Sequence, residues 1–149
     1  MLPPAAAPAA PTVVTCAPTK LKVAVSLLEP SVTESSSFVT VPETHVGFTQ
    51  GGSSKSCVIV RFSAETFASG PDSAVRVRAL LDNTKAAIPA EVTYSAVDNF
   101  DRAAHSYEFV FPNVAPGNHT IKMQFRSANS CNCFVVSIGV HTTVVQFEP

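Results

Sequence analysis

From Lys20 onward the chain repeats with a period of two. Leu21, Val23 and Val25 alternate with Lys20, Lys22 and Ala24, which predicts a first strand that turns the leucine and valines to a core. A Ser/Thr-rich stretch from Ser31 to Ser37 leads into a short run at Phe38 to Val41. Pro42 interrupts that run before a further strand at Thr44 to Thr49. Gly51 and Gly52, followed by SerSerLysSer, mark a loop. The strongest strand signal is Ser56 to Ala64. It sets Val58, Val60, Phe62 and Ala64 on one face and Cys57, Ile59, Arg61 and Ser63 on the other, as a central strand would.

Ala74 to Leu81 is the next strand, with Val75, Val77 and Ala79 inward and Arg76 and Arg78 outward. Further strands are expected at Ile88 to Tyr94 and Ser106 to Phe111, across the polar connection SAVDNFDRAAH. Pro112, Asn113, Pro116 and Gly117 then make a turn, through fixed φ at proline and tolerance of positive φ at Asn and Gly. The last strands are predicted at His119 to Arg126, Phe134 to Val140 and Thr142 to Phe147. Helical spacing is confined to a weak hint at Ala64 to Ala68. About nine or ten short alternating strands predict an all-β fold, an antiparallel β-sandwich of jelly-roll type. One heptapeptide recurs: His119-Thr-Ile-Lys-Met-Gln-Phe125 and His141-Thr-Thr-Val-Val-Gln-Phe147 share His, Thr, Gln and Phe in strand phase. A duplicated site is the sharper reading, and two similar strands of one sheet the simpler and preferred one.

Composition adds a compartment. Met1 to Thr19 contains no charge and five of the twelve prolines, so residues 1–18 read as an extended Ala/Pro-rich arm ahead of a sandwich domain at 19–149. The opening MLPPAAAPAAP looks like the start of a mature chain after an export signal has been cleaved, and no run of about 18 apolar residues offers a membrane span. Cys16, Cys57, Cys131 and Cys133 form an even set, which fits an oxidising, secreted or periplasmic setting better than a zinc site, since only a C-x-C is local. Three pairings are open. Position favours Cys16 with Cys57, stapling the arm to the central strand, and leaves Cys131 to Cys133 as a small and more reducible ring, either a loop clip or a redox element.

The stretch FVFPNVAPGNHTIKMQFRS, Phe109 to Ser127, with SCVIVRFSAETF and VRVRALLD, resembles uncharacterised secreted bacterial β-sandwich domains. It is also similar to the C-terminal jelly-roll modules of phage tail proteins and to the C1q/TNF-like architecture. That resemblance implies a compact sandwich, often trimeric, used in adhesion or recognition. The chain departs from it at NSCNC, Asn129 to Cys133, where such modules carry a Gly-rich hairpin tip.

Charge and candidate chemistry narrow the function. Ten basic against eleven acidic residues give a net charge of −1, which provides no general attraction to nucleic acid. The charged fraction of 14% leaves strand faces free for burial between subunits, so a homotrimer or other homo-oligomer is expected. A Ser-His-acid triad could draw on His45, His105, His119 and His141, but no G-x-S-x-G elbow places a serine, and a secreted hydrolase ranks last. Glu65, Glu91 and Glu108 cannot be set against one another as a glycosidase pair from sequence. Asp98, Asn99 and Asp101, with Asp82 and Asn83, are oxygen ligands on turns, but backbone-capping turns explain them without a metal, and no cofactor is expected. Arg61, Arg76, Arg78, Lys122 and Arg126 lie on outward faces as a basic stripe for an acidic glycan or partner, or as partners of acids such as Glu108. Asn118-His119-Thr120 is a glycosylation sequon. The leading expectation is a non-catalytic extracellular recognition or surface-assembly module for a glycan or cell-surface protein. The alternative is a carbohydrate-binding module whose contacts are Asp98, Asn99, Phe100, Asp101 and Arg102.

Overall fold

The alternating pattern does produce strands, and pairing rather than propensity decides where they end. The computed structural model describes residues 11–27, 30–70, 73–96, 102–129, 131 and 134–149. Its strands are β1 (Lys20–Ser26), β2 (Ser31–Thr33), β3 (Val39–Thr40), β4 (Val46–Gln50), β5 (Ser56–Ala68), β6 (Ala74–Leu81), β7 (Lys85–Ala86), β8 (Val92–Ala96), β9 (Ala103–Val114), β10 (Gly117–Ser127) and β11 (Val136–Phe147). One antiparallel sheet has the order β1-β11-β5-β9, with β2 also on β11. The other has the order β3-β10-β6-β7, with β4 also on β10 and β8 also on β6.

Three of these edges are broken strands. β1 and β2 share one edge of β11, β3 and β4 one edge of β10, and β7 and β8 one edge of β6. Counting each broken edge as one strand leaves eight in two sheets of four, ordered 1-8-3-6 and 2-7-4-5. That is the double Greek-key order of a jelly roll, so the expected architecture holds. Between the sheets, Val58, Val60, Phe62, Phe109 and Phe111 face Val77, Ala79, Ile121, Met123 and Phe125, all buried.

β5 is central, with β11 on one side and β9 on the other, and its inward set is the predicted one. It also runs on to Ala68, so the helical hint at Ala64 to Ala68 is a strand end. There Ala64, Thr66 and Ala68 are buried in alternation while Ser63 and Glu65 are less so. Ile88 does not begin a strand: Ile88 makes an isolated bridge to Val110, Pro89 succeeds it through a cis peptide, and β8 starts at Val92. The two closing strands are one strand, β11, carrying a register shift between Ile138 and His141. At the β9–β10 turn Asn113 has φ of 58° and Gly117 of 130°, the left-handed values its residues were expected to supply.

β1 lies the other way up from the expectation. Leu21, Val23, Val25 and the adjoining Leu27 are 60%, 51%, 62% and 82% exposed, while Ala24 and Ser26 turn inward. The register explains it: Ser26, Ala24 and Lys22 pair with His141, Thr143 and Val145, the inward residues of β11. β1 is an edge strand, so its inward face needs only small side chains beside the core, and Lys22 reaches past the edge to donate to Gly47 O at 2.7 Å.

Candidate functional site

Inverting β1 gives the outer face of the first sheet a divided surface. One row of side chains runs Val23, Val144, Arg61, Glu108 across four strands, and the next runs Val25, Thr142, Ser63, Ser106. In these two rows β1 is apolar and β11 sets Val144 beside Thr142, while β5 and β9 form a polar ladder; the row beyond, Leu21, Gln146, Ile59 and Val110, does not continue the division. Arg61 Nε donates to Glu108 Oε1 at 2.9 Å, Ser63 and Ser106 share a hydroxyl bond of 2.8 Å, and Arg102 Nη1 donates to Glu65 Oε1 at 2.9 Å. Where the halves meet, the bulge in β11 turns Val140 outward and a trough of about 340 Å³ opens, bordered by Val25, Leu27, Val140, Ser63, Glu65 and Thr142. Apolar walls with a few convergent polar groups are the usual lining of a small-ligand site.

Of the residues expected to bind, Asp98, Asn99, Phe100 and Asp101 lie outside the described residues, and Arg102 is placed at this ladder. Sequence reasoning did not single out Ser63, Ser106 or Thr142. Their outward phase was readable, but the β5–β9 and β5–β11 registers that set them side by side were not.

The basic stripe is split between sheets. Arg61 belongs to the polar ladder of the first sheet, whereas Arg76, Arg78, Lys122 and Arg126 share the outer face of the second. Two of the four histidines considered for a triad are committed to other partners. His119 holds Asp82 Oδ2 at 2.7 Å and Ala115 O at 2.8 Å, and His141 holds Gly139 O at 2.8 Å and Pro42 O at 3.0 Å, so both ring nitrogens of each face acceptors. The repeated heptapeptides lie in opposite sheets, β10 and β11, rather than in one sheet, and their histidines sit in separate surroundings. Of the sequon, Asn118 is exposed on β10 and accepts from the Thr49 hydroxyl at 2.8 Å.

Cys16 and Cys57 are joined as expected. Cys131 is disulfide-bonded too, and Cys133 lies outside the described residues. Among the described residues no group of three or more His, Cys, Asp or Glu is placed to hold a metal ion, and no helix is long and apolar enough to cross a membrane.

Asp82 caps a turn. It and Asn83 adopt positive φ of 51° and 65°, and its Oδ1 accepts the Thr120 N–H at 2.9 Å. Partial burial works to raise its pKa, but the His119 hydrogen bond, the Thr120 N–H and the charges of His119 and Lys85 outweigh that and hold it below the ordinary 3.8. A carboxyl depressed in the fold contributes stability above its unfolded pKa and loses it as pH falls through its folded value. Asp82→Asn should therefore lower the melting temperature at pH 7, with the gap to the unsubstituted protein closing below about pH 3.8. A gap that is the same at pH 7 and pH 2.5 would show that this linkage is absent.

Among solved structures the chain is similar to the CBM36-1 domain of a multidomain xylanase from the hindgut metagenome of Trinervitermes trinervoides. The identity is 12% and the TM-score 0.37, over 83% of this chain and 96% of that one. It is also similar to a family two carbohydrate esterase from Cellvibrio japonicus, at 14% identity and TM-score 0.32, over 87% of this chain and 35% of that one. No protein-family model and no curated protein matches the chain. The sandwich and its jelly-roll order rest on the strand pairing itself. The C1q/TNF-like and phage-tail resemblance gains no support from these neighbours.

Proposed function

We propose that this domain is a non-catalytic extracellular module that binds a neutral glycan along the step between the two halves of the first sheet. The observation that carries the reading is the polar ladder of β5 and β9 lying against the apolar Val23, Val25, Val140 and Val144 of β1 and β11. Sugars present hydroxyl edges and apolar C–H faces together. Ser63, Ser106, Thr142, Glu65 and Arg102 supply donors and acceptors for the first, and Val25, Leu27 and Val140 supply contact for the second. Glu65 and Glu108 are each engaged by an arginine, which suits fixed hydrogen bonding better than proton transfer and supports a binding role over a hydrolytic one. The Cys16–Cys57 bridge supports an oxidising compartment.

Affinity electrophoresis through gels containing xylan, mannan or mixed-linkage glucan tests the proposal. At least one polymer should retard the protein, and Glu65→Gln, which keeps shape but removes the charge, should weaken retention about tenfold through loss of a charged hydrogen bond. No retardation by the panel, or equal retardation of the variant, would count against the trough. The same apolar stripe is where self-association would occur, so light scattering belongs in the experiment. A multiple of the monomer mass that persists when ligand is added would assign β1 to assembly and not to glycan.

A further inference from the structure

The outer face of the second sheet carries a cluster that the trough does not use. Arg76 of β6 and Arg126 of β10 are directly opposed across the strands, and Arg78, two residues along β6, faces Gln124. Like charges directly opposite one another destabilise a sheet unless something neutral or negative lies between them. Glu91 is the only carboxylate ion-paired with these arginines among the described residues. It takes Arg126 Nη2 at 3.0 Å and stands 3.9 Å from Arg76 Nη1. Among the described residues the hydrogen-bond partner of Arg78 is neutral: its Nε and Nη2 both donate to the single Gln124 Oε1, at 2.9 and 2.7 Å.

Phe38 holds the cluster in shape. Its ring lies 4.0 Å from the Arg78 guanidinium and 5.2 Å from that of Arg126, an arrangement that fixes the planes of two forks at once. Arg76 and Arg126 still reach solvent, with side chains 35% and 21% exposed. Three guanidiniums thus face one carboxylate, with Lys122 on the same face, in a chain whose net charge is −1. Among the described residues the positive charge is local, braced and paired with one carboxylate.

We infer that this arginine face is a second binding site, for the oxyanions of an acidic polysaccharide, uronate carboxylates or sulfate esters. A guanidinium fork matches two oxygens of either group, and Arg76 and Arg78, about 7 Å apart along one strand, can take charges on separate residues of a polymer. Three arginines on a near-neutral protein fall short of the six to ten phosphate contacts that dominate nucleic-acid binding, so a glycan fits better than DNA.

The test is affinity electrophoresis of the intact protein in gels containing polygalacturonate, dextran sulfate, dextran or duplex DNA. The inference expects retardation by polygalacturonate or dextran sulfate, whichever is stronger naming the anion, and none by dextran. Retention should weaken as NaCl rises from about 50 mM to about 0.3 M. Arg78→Gln should reduce it about tenfold, and Arg78→Gln with Arg126→Gln further. Should the double variant fail to fold, the single one decides, because Arg78 forms no ion pair among the described residues. Arg78→Gln should leave neutral-glycan retention untouched, so this site and the trough stand or fall separately. No retardation by either acidic polymer, equal retardation of Arg78→Gln, or equal retardation by DNA would overturn the inference.

Discussion

Phe62→Ala should lower the unfolding free energy by about 3–5 kcal/mol, the range for removing a fully buried aromatic ring. Phe62 is 0% exposed at the middle of β5, with the rings of Tyr94 and His141 at 5.6 and 5.7 Å. Its neighbours cannot close over the gap. β5 is paired along most of its length on both edges, and Tyr94 is fixed by a hydroxyl within 2.9 Å of Phe62 O and 2.6 Å of His105 O. Burial pushes the Tyr94 hydroxyl pKa upward, so it stays neutral, with its single O–H shared between those two carbonyls. Urea unfolding should show a lower midpoint with an unchanged slope, since the same surface is exposed on unfolding. A loss below about 1 kcal/mol would mean that the core repacks around the vacancy, contrary to the pinned geometry of Tyr94 and β5.

The inward set of β5 was legible because a central strand buries one face against the whole opposite sheet, so local periodicity and tertiary burial agree. At β1 they disagree. Its alternation shows two faces but not which is buried, and the register with β11 puts the valines outside. β11 reads as two strands for a related reason: Val136 and Ile138 are inward before the bulge and His141, Thr143 and Val145 after it, so the period slips by one residue. A phase slip looks like a break when only the sequence is in view.

The same limit governs the site. Ser63 was visibly outward, but Glu65 lay past the predicted strand end, and Arg102 reaches it across 37 residues through a pairing that no local pattern encodes. Arg76, Arg78 and Arg126 were recognisable as outward basic residues. Arg61 could not be separated from them, because sheet membership depends on the order of connections and not on composition. The cysteine pair was readable because position left few choices.

Replacing both Cys16 and Cys57 by serine should cost about 3–4 kcal/mol, the loop-closure entropy returned to the unfolded chain when a cross-link spanning a separation of 41 residues is removed. The native side argues for the full effect. The Cα atoms lie 5.3 Å apart, within the ordinary range for a bridge, and Cys57 is 1% exposed at the start of β5. The segment ahead of β1 has other ties: Thr19 N–H donates to Phe147 O at 3.2 Å, Val14 and Cys16 border Ile59, Ile88 and Val110 in a cleft of about 340 Å³, and Val13 and Val14 border Ile88 and Pro112 in a second. Without the bridge those apolar contacts must hold an extended proline-bearing segment against its own entropy, at roughly 1–2 kcal/mol per ordered residue. Limited proteolysis should then cut within residues 11–19 while β5 and the core remain protected. The double serine variant, unfolded in urea without reductant, isolates this bridge, because reductant would also open the one at Cys131. A loss under about 1 kcal/mol would show that the cross-link adds little to a segment already held by its contacts.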